Sequence, residues 1–324
     1  MKLGWRLGRA VRPPADDWRA AKVRAIRSAL DRALALPDSG WRVLDGSRRI
    51  GARPRAFVVE GRHLIAWRPD GGGPGSAVAV APESCPHLGA SLAGASVRGG
   101  AVVCPWHGLE LGRDGHGAWR CLPAHDDGVL VWVRTGTADL PPPALPRPAA
   151  FVDGVVRLQA RCAVADVLAN RLDPWHGAHL HPYSFAALEV VEQSDERLRL
   201  RVEKRIAGPL RVAVEATFHC PTPHAIVMTI VDGEGCGSLV ETHAVPIDHE
   251  RTAIVEATIA TSPRHGFWFA RRLAPLLRPL IERSARRLWR DDLVYAERLA
   301  ELRARESAAA SPRPLSSATE RAAR

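Results

Sequence analysis

Apolar and polar positions fall into three textures along the chain. Between residues 16 and 36, Trp18, Ala21, Val23, Ile26, Ala29, Leu30 and Ala33 recur at the spacing of one helix face, with Asp16 or Asp17 able to cap the start and Pro37 to stop it. Residues 1–15 are basic and Pro-containing and are expected to form a loose arm. From residue 40 to 134 short β-rich runs (55–59, 64–67, 77–80, 102–103 and 129–133) alternate with Gly- and Pro-rich turns, the pattern of a small all-β domain with long loops. The Pro-dense stretch TADLPPPALPRPAA, residues 137–150, predicts a stiff, extended linker. Beyond it, runs at 155–164, 197–202, 211–218, 225–231, 238–245 and 253–261 predict one large antiparallel sheet. A helical segment from 166 to about 180 interrupts that sheet, and a helical region from 266 to about 305 closes it. The expected organisation is therefore α+β: arm and helix at 1–37, β domain at 38–136, linker at 137–150, a sheet-and-helix domain at 151–305 and a disordered tail at 306–324.

Composition narrows the function. The net charge of +10 invites a nucleic-acid partner, but only three of the 45 basic residues are lysines (Lys2, Lys22 and Lys204). The arginines are spread along the chain, and no basic block interleaves with aromatics as a single-strand binder requires, so no nucleic acid is expected. No apolar stretch approaches the ~20 residues of a spanning helix, and the first residues lack the apolar core of a secretory signal. The expected location is cytoplasmic. Six cysteines are too few for a disulfide framework, and Cys121, Cys162, Cys220 and Cys236 read as reduced thiols. The Gly-rich runs at 71–75 and 233–237 lack the following helix that a dinucleotide loop needs.

Chemistry concentrates in two places. Cys85-Pro-His87 and Cys104-Pro-Trp-His107 each place one thiolate and one imidazole on a Gly/Pro-rich loop. Two sulfur and two nitrogen ligands suit a tetrahedral zinc or an iron–sulfur centre. A zinc finger usually brackets Cys with Cys and His with His. Here each loop offers one of each, so one iron can take both Cys and the other both His. The second place is Asn170-Arg-Leu-Asp173-Pro-Trp-His176-Gly-Ala-His179-Leu-His181-Pro, one carboxylate and three imidazoles. Two His and a carboxylate on one face make the facial triad of non-haem Fe(II) sites. On a regular helix His176 and His179 share a face, whereas His176 and His181 are about 140° apart. The latter pair can bind one ion only if the helix ends or bulges near Leu180, which Gly177 and Pro182 permit.

Cys85-Pro-His87-Leu-Gly and Cys104-Pro-Trp-His107-Gly resemble the two loops of a Rieske domain, and residues 173–181 resemble the D-x-x-H-x-x-x-x-H run of Rieske non-haem iron oxygenases. The resemblance, which spans roughly residues 41–302, implies a [2Fe–2S] cluster on Cys85, His87, Cys104 and His107. It also implies a helix-grip-like second domain holding mononuclear Fe(II) on His176, His181 and a downstream Asp. Asp292, three residues after Trp289 and five before Glu297, fits that Asp best, with Asp291 the alternative. Asp173 then becomes the carboxylate that bridges His176 and a neighbouring subunit's His107, which implies a ring of three subunits. The implied activity is oxidation of a hydrophobic substrate with O₂, using electrons from a separate ferredoxin or NAD(P)H-dependent reductase. The runs DPWHGAHLHPYSF and RLWRDDLVYAERL most resemble Rieske-type proteins of bacterial carotenoid pathways, implying an isoprenoid substrate. The alternatives are an oxygenase or demethylase for an aromatic acid or sterol, and a pure electron carrier. The Arg-rich amphipathic stretch at 264–290 additionally allows peripheral contact with anionic lipid.

Overall fold

A computed structural model of the chain describes residues 4–7, 22–143 and 145–310. The first elements are β1 (Gly4–Leu7), α1 (Val23–Leu34), β2 (Trp41–Gly46), β3 (Arg55–Val59), β4 (Arg62–Trp67), β5 (Ala79–Pro82), β6 (Ser96–Arg98), β7 (Ala101–Val103), β8 (Glu110–Leu111), β9 (Ala124–Asp126) and β10 (Leu130–Arg134). β2 to β10 form three small antiparallel sheets, ordered β2-β10-β9, β3-β4-β5 and β6-β7-β8. The β3–β4 hairpin turns on Glu60 and Gly61, both at positive φ, the backbone that matches a tight turn to strand twist. Ile65, Trp67, Ala81, Leu92, Val102, Leu111 and Trp119 build a core beneath the loops that follow β5 and β7.

The second half begins with β11 (Val152–Ala160), α2 (Val164–Leu172) and α3 (Trp175–Leu180). It continues with β12 (Phe185–Gln193), β13 (Leu198–Ala207), β14 (Leu210–Thr222), β15 (Ala225–Gly233), β16 (Leu239–Pro246), β17 (Thr252–Ala260), α4 (Phe267–Arg272) and α5 (Ala274–Ala310). The strands form one antiparallel sheet in the order β11-β17-β16-β15-β14-β13-β12. β1 joins it beside Leu210–Ala213 at the start of β14, where β15, which pairs from Val214 onward, no longer runs. Register shifts in β12, β13 and β14 add local twist and bend the sheet. Alternation along each strand then gives the sheet two different faces. Val155, Val227, Leu239, Val255 and Ile259 pack with Trp41, Val43 and Trp132, so one core runs through both halves. Val156, Ala244 and Ile254 point the other way, against Ala285, Trp289 and Ala296 of α5.

The stretch between β10 and β11 carries no helix or strand among the described residues, but it is tied down on both sides. Trp41 Nε1 donates to the Leu140 carbonyl at 2.8 Å. Arg147 makes a fork to Glu241 of β16, Nε to Oε1 at 2.6 Å and Nη2 to Oε2 at 2.7 Å, while Nη1 lies 2.8 Å from Asp127 Oδ1 in the β9–β10 turn. One guanidinium thus binds both halves to the linker. Burial pushes the Asp127 and Glu241 carboxyls up, but Arg147 outweighs it and holds both below the ordinary range.

Three expectations need correction. Residues 4–7 are a strand, because the sheet offers the β14 edge, and not part of a loose arm. The helix expected over 16–36 is described from Val23 to Leu34; residues 8–21 lie outside the described residues. α5 runs on to Ala310, so residues 306–310 of the expected tail are helical, and 311–324 lie outside the described residues.

Candidate metal centres

The two Cys/His loops are built alike. In the first, Cys85 N–H donates to the Ala90 carbonyl at 2.8 Å and Gly89 N–H to the Cys85 carbonyl at 2.9 Å. In the second, Cys104 N–H donates to Leu109 and Gly108 N–H to Cys104, both at 2.9 Å. Each loop closes through a glycine four residues after the cysteine, Gly89 at φ 76° and Gly108 at φ 73°, a backbone that a side chain would strain. This closure aims the amides of His87 and Leu88 at the Cys85 sulfur, and those of Trp106 and His107 at Cys104. Burial raises the Cys85 thiol; at Cys104 the amides and the neighbouring sulfur overcome burial and lower it. Such amides favour thiolate, the form that binds iron. The two imidazoles stand edge to face, centroids 4.9 Å apart, at the domain's surface, flanked by exposed Leu88 and Trp106. Two buried thiols and two outward imidazoles at one loop tip fit a [2Fe–2S] cluster with one Cys pair and one His pair.

The second site depends on a break in the helix expected over 166–180. Pro174 has no N–H to continue α2 and pushes the residue before it out of helical geometry; Asp173 sits at φ −90°, ψ 101°. A new short helix, α3, starts after it and ends at Leu180, so His181 is already off the helix at φ −118°, ψ 50°. That ending removes the 140° conflict. His176 Nε2 lies 3.2 Å, and His181 Nε2 2.8 Å, from Asp292 Oδ1 of α5. The three donor atoms fall within 4.8 Å of one another. Ligands about 2.0–2.2 Å from one ion stand roughly 3 Å apart, so these separations fit a shared ion. Asp292 Oδ2 is buried without a hydrogen-bond partner, as a group intended for something else would be. Burial raises the Asp292 carboxyl, but His176, His181 and Arg171 hold it far below the ordinary range.

Neighbours fix both rings. His176 Nδ1 lies 2.6 Å from the Asp173 main-chain carbonyl, an acceptor that sets the tautomer with Nε2 free for metal. The expected carboxylate contact differs: Asp173 Oδ2 is 4.0 Å from His176 Nδ1, while Asp173 Oδ1 accepts from Trp175 N–H at 2.9 Å and Oδ2 from the Tyr295 hydroxyl at 3.3 Å. Asp291 lies on the outer edge of His181, Oδ2 at 3.4 Å from Nδ1, and accepts from the Tyr183 hydroxyl at 2.7 Å. Burial and that carboxylate push the Tyr183 hydroxyl up to about 12. His179 is exposed and apart from the group. Asn170, to which the motif assigns no role, sits one turn of α2 before Asp173, and its Nδ2 donates to Asp292 Oδ1 at 3.2 Å.

The group opens on a cavity of about 310 Å³ between the sheet and helices α2, α3 and α5. Its walls are mainly apolar, among them Leu188, Val214, Phe218, Met228 and Leu288. The polar exceptions include Lys204, Thr242, Ser284, and an Arg171–Glu256 ion pair, whose guanidinium stacks 4.3 Å over the Trp289 ring.

Residues 40–137 match the Rieske [2Fe-2S] domain family, and the chain is homologous to Rieske non-haem iron oxygenase subunits. Residues 135–307, more than half of the chain, match a family described only as a domain of unknown function, DUF5914, and the chain belongs to that family. It is 25% identical over 174 residues to the vanillate O-demethylase oxygenase subunit of Pseudomonas sp. (strain HR199 / DSM 7063), covering 48% of each protein. The chain spans about half the length of the curated relatives it matches. Among solved structures, dicamba monooxygenase bound to dicamba superposes with a TM-score of 0.63 at 20% identity, covering 85% of this chain and 91% of that one. The reduced complex between oxygenase and ferredoxin in carbazole 1,9a-dioxygenase gives 0.56 at 15% identity, covering 93% and 91%. The fold is that of Rieske oxygenase alpha subunits, an all-β Rieske domain followed by an antiparallel sheet with helices.

Proposed function

We propose that the protein is the oxygenase component of a Rieske non-haem iron system acting on a small aromatic acid. The observation that carries this reading is the presence, in one chain, of a Cys85–His87–Cys104–His107 loop pair and a His176–His181–Asp292 group that opens on an apolar cavity. Iron at the second group would supply O₂ activation, and the cluster would supply electrons one at a time. This chain's residues then have separable tasks. The Asp173 carbonyl and the Asp291–Tyr183 pair orient the two imidazoles, and Asn170 steadies the carboxylate. The apolar walls exclude water and hold a ring beside the donor group.

The cavity volume lies at the lower end of the ~300–1,000 Å³ typical of ligand sites, which favours a single ring over the long isoprenoid expected from the sequence. The relative and the structural neighbour named for vanillate and dicamba support the aromatic-acid alternative in the same direction. An external ferredoxin or reductase is part of the proposal, as is a ring of three copies in which Asp173 meets His107 of a neighbouring copy. The test is anaerobic purification with iron counting, then O₂ uptake with vanillate and a chemical reductant. Three irons per chain, falling to two in Asp292→Ala, is the expected result. Two irons per chain in both proteins would leave an electron carrier instead.

A further inference from the structure

Strand β13, LRLRVEKRIA, alternates apolar and charged residues from Leu198 to Glu203. Leu198, Leu200 and Val202 lie on its inner face and form a buried cluster. Two residues on, the same face carries Lys204, which lines the cavity. Its immediate neighbours on that wall are apolar. In the β12–β13 register Lys204 stands opposite Phe185, whose ring lies 6.2 Å from that of His181. Lys204 thus borders the same cavity as His176 and His181.

No carboxylate of the described chain forms an ion pair with it. Among the described residues the Lys204 ammonium has no side-chain hydrogen bond and no ion pair; its only charged influences are Glu256, which favours the ammonium, and Arg171, which opposes it. Glu256 is engaged through one of its two oxygens. Its Oε2 takes Arg171, Trp289 Nε1 at 2.7 Å and Thr242 Oγ1 at 3.3 Å. Burial draws the lysine below its ordinary pKa, as expected of a cation without a counter-ion. A cation left unmatched among apolar walls is costly, and folded chains keep such groups where a ligand completes them.

We propose that Lys204 anchors the carboxylate of the substrate, holding an organic acid by its anionic end while the apolar walls place its hydrocarbon part beside His176, His181 and Asp292. This assignment rests on the reading of the cavity as the oxygenase substrate site. It makes Lys204 a specificity residue that favours acids over their neutral analogues. Its location is also distinctive in a chain with three lysines among 45 basic residues.

The test is equilibrium binding to the iron-loaded protein of three probes: benzoate, benzamide and decanoate. Wild type should bind benzoate at least about tenfold more tightly than benzamide, the range expected of a charged hydrogen bond. Lys204→Met should weaken benzoate by about 10- to 100-fold, leave benzamide within about twofold, and keep the cluster absorbance. Because the substitution removes an unmatched charge, its melting temperature should equal or exceed wild type. Lys204→Gln repeats the comparison should the methionine variant fold poorly. Equal binding of benzoate and benzamide by wild type, or an acid preference that survives in Lys204→Met, overturns the anchor while leaving the aromatic reading intact. Lys204-dependent binding of decanoate without benzoate supports the anchor and overturns the aromatic reading. Failure of both carboxylates to bind overturns the anchor.

Discussion

Replacing Arg147 by methionine should destabilise the whole protein, and more so at neutral than at acid pH. Glu241 is fully buried, and Arg147 is 12% exposed, so the substitution leaves a carboxylate with no route to water. Asp127 keeps the Val129 and Leu130 amides at 2.9 and 2.7 Å and Trp132 Nε1 at 2.8 Å, and loses less. Removing one partner of a buried pair costs about 3–5 kcal/mol. His243, with Nε2 at 3.3 Å from Glu241 Oε2, can compensate part of that, so the low end, about 3 kcal/mol, is expected. With Arg147 present, Glu241 titrates below its ordinary value of 4.5, so the pair stabilises above that pH and fades as acid titrates the folded carboxylate. Without Arg147 burial raises the folded value above 4.5; the folded state then holds a proton the unfolded chain releases, and stability falls as pH rises. The gap between variant and wild type should therefore widen from about pH 4.5 to neutrality. Urea unfolding of the iron-loaded protein, followed by tryptophan fluorescence at both pH values, measures it. A loss below about 1 kcal/mol, or one independent of pH, would refute the clamp. Arg147→Met combined with Glu241→Gln should lose the pH dependence.

Four further outcomes follow from the two centres. Cys85→Ser should abolish the [2Fe–2S] absorbance while the second half keeps its fold, read by circular dichroism. His176→Ala and His181→Ala should each lower iron from three to two per chain, whereas His179→Ala, an exposed position, should keep three. Asp291→Asn should keep all iron, since its carboxylate touches only the outer edge of His181 and Tyr183; loss of iron there would make it the ligand. Asp173→Asn should keep all iron yet lower turnover about 10- to 100-fold, and normal product formation after cluster reduction would remove it from the electron path.

What the sequence made legible was whatever chemistry repeats at a fixed spacing. The two Cys/His loops and the His–Asp group could be read because few other arrangements use those residues so densely. The strands of the large sheet were visible as apolar alternation, apart from β12, whose FAALEVVEQ favours helix in Ala, Leu and Glu and which exposes much of its length. Strand β1 was missed because its four residues acquire order only from the β14 edge, a partner distant in sequence. The helix break at Asp173-Pro174 follows from proline's missing donor, although the apolar spacing continues across it. Lys204 lies on the apolar phase of β13 but two residues beyond the run expected to end at 202, so the alternation that marks the strand did not reach it. The role of the Asp173 main chain could not be read at all, since side-chain identity says nothing of where a carbonyl points.

Helix α5 carries Asp292 and also lines the cavity with Ile281, Ser284, Ala285 and Leu288. It is the last described element of the chain, whereas the core beneath the cluster loops draws on residues between Ile65 and Cys121. During synthesis the amino-terminal loops can close around their cluster while α5 is still unmade. The other donor group cannot exist until α5 docks, and the same event shuts the cavity. On the proposed function, the chain acquires the loops that would store electrons before it acquires the group where they would be used.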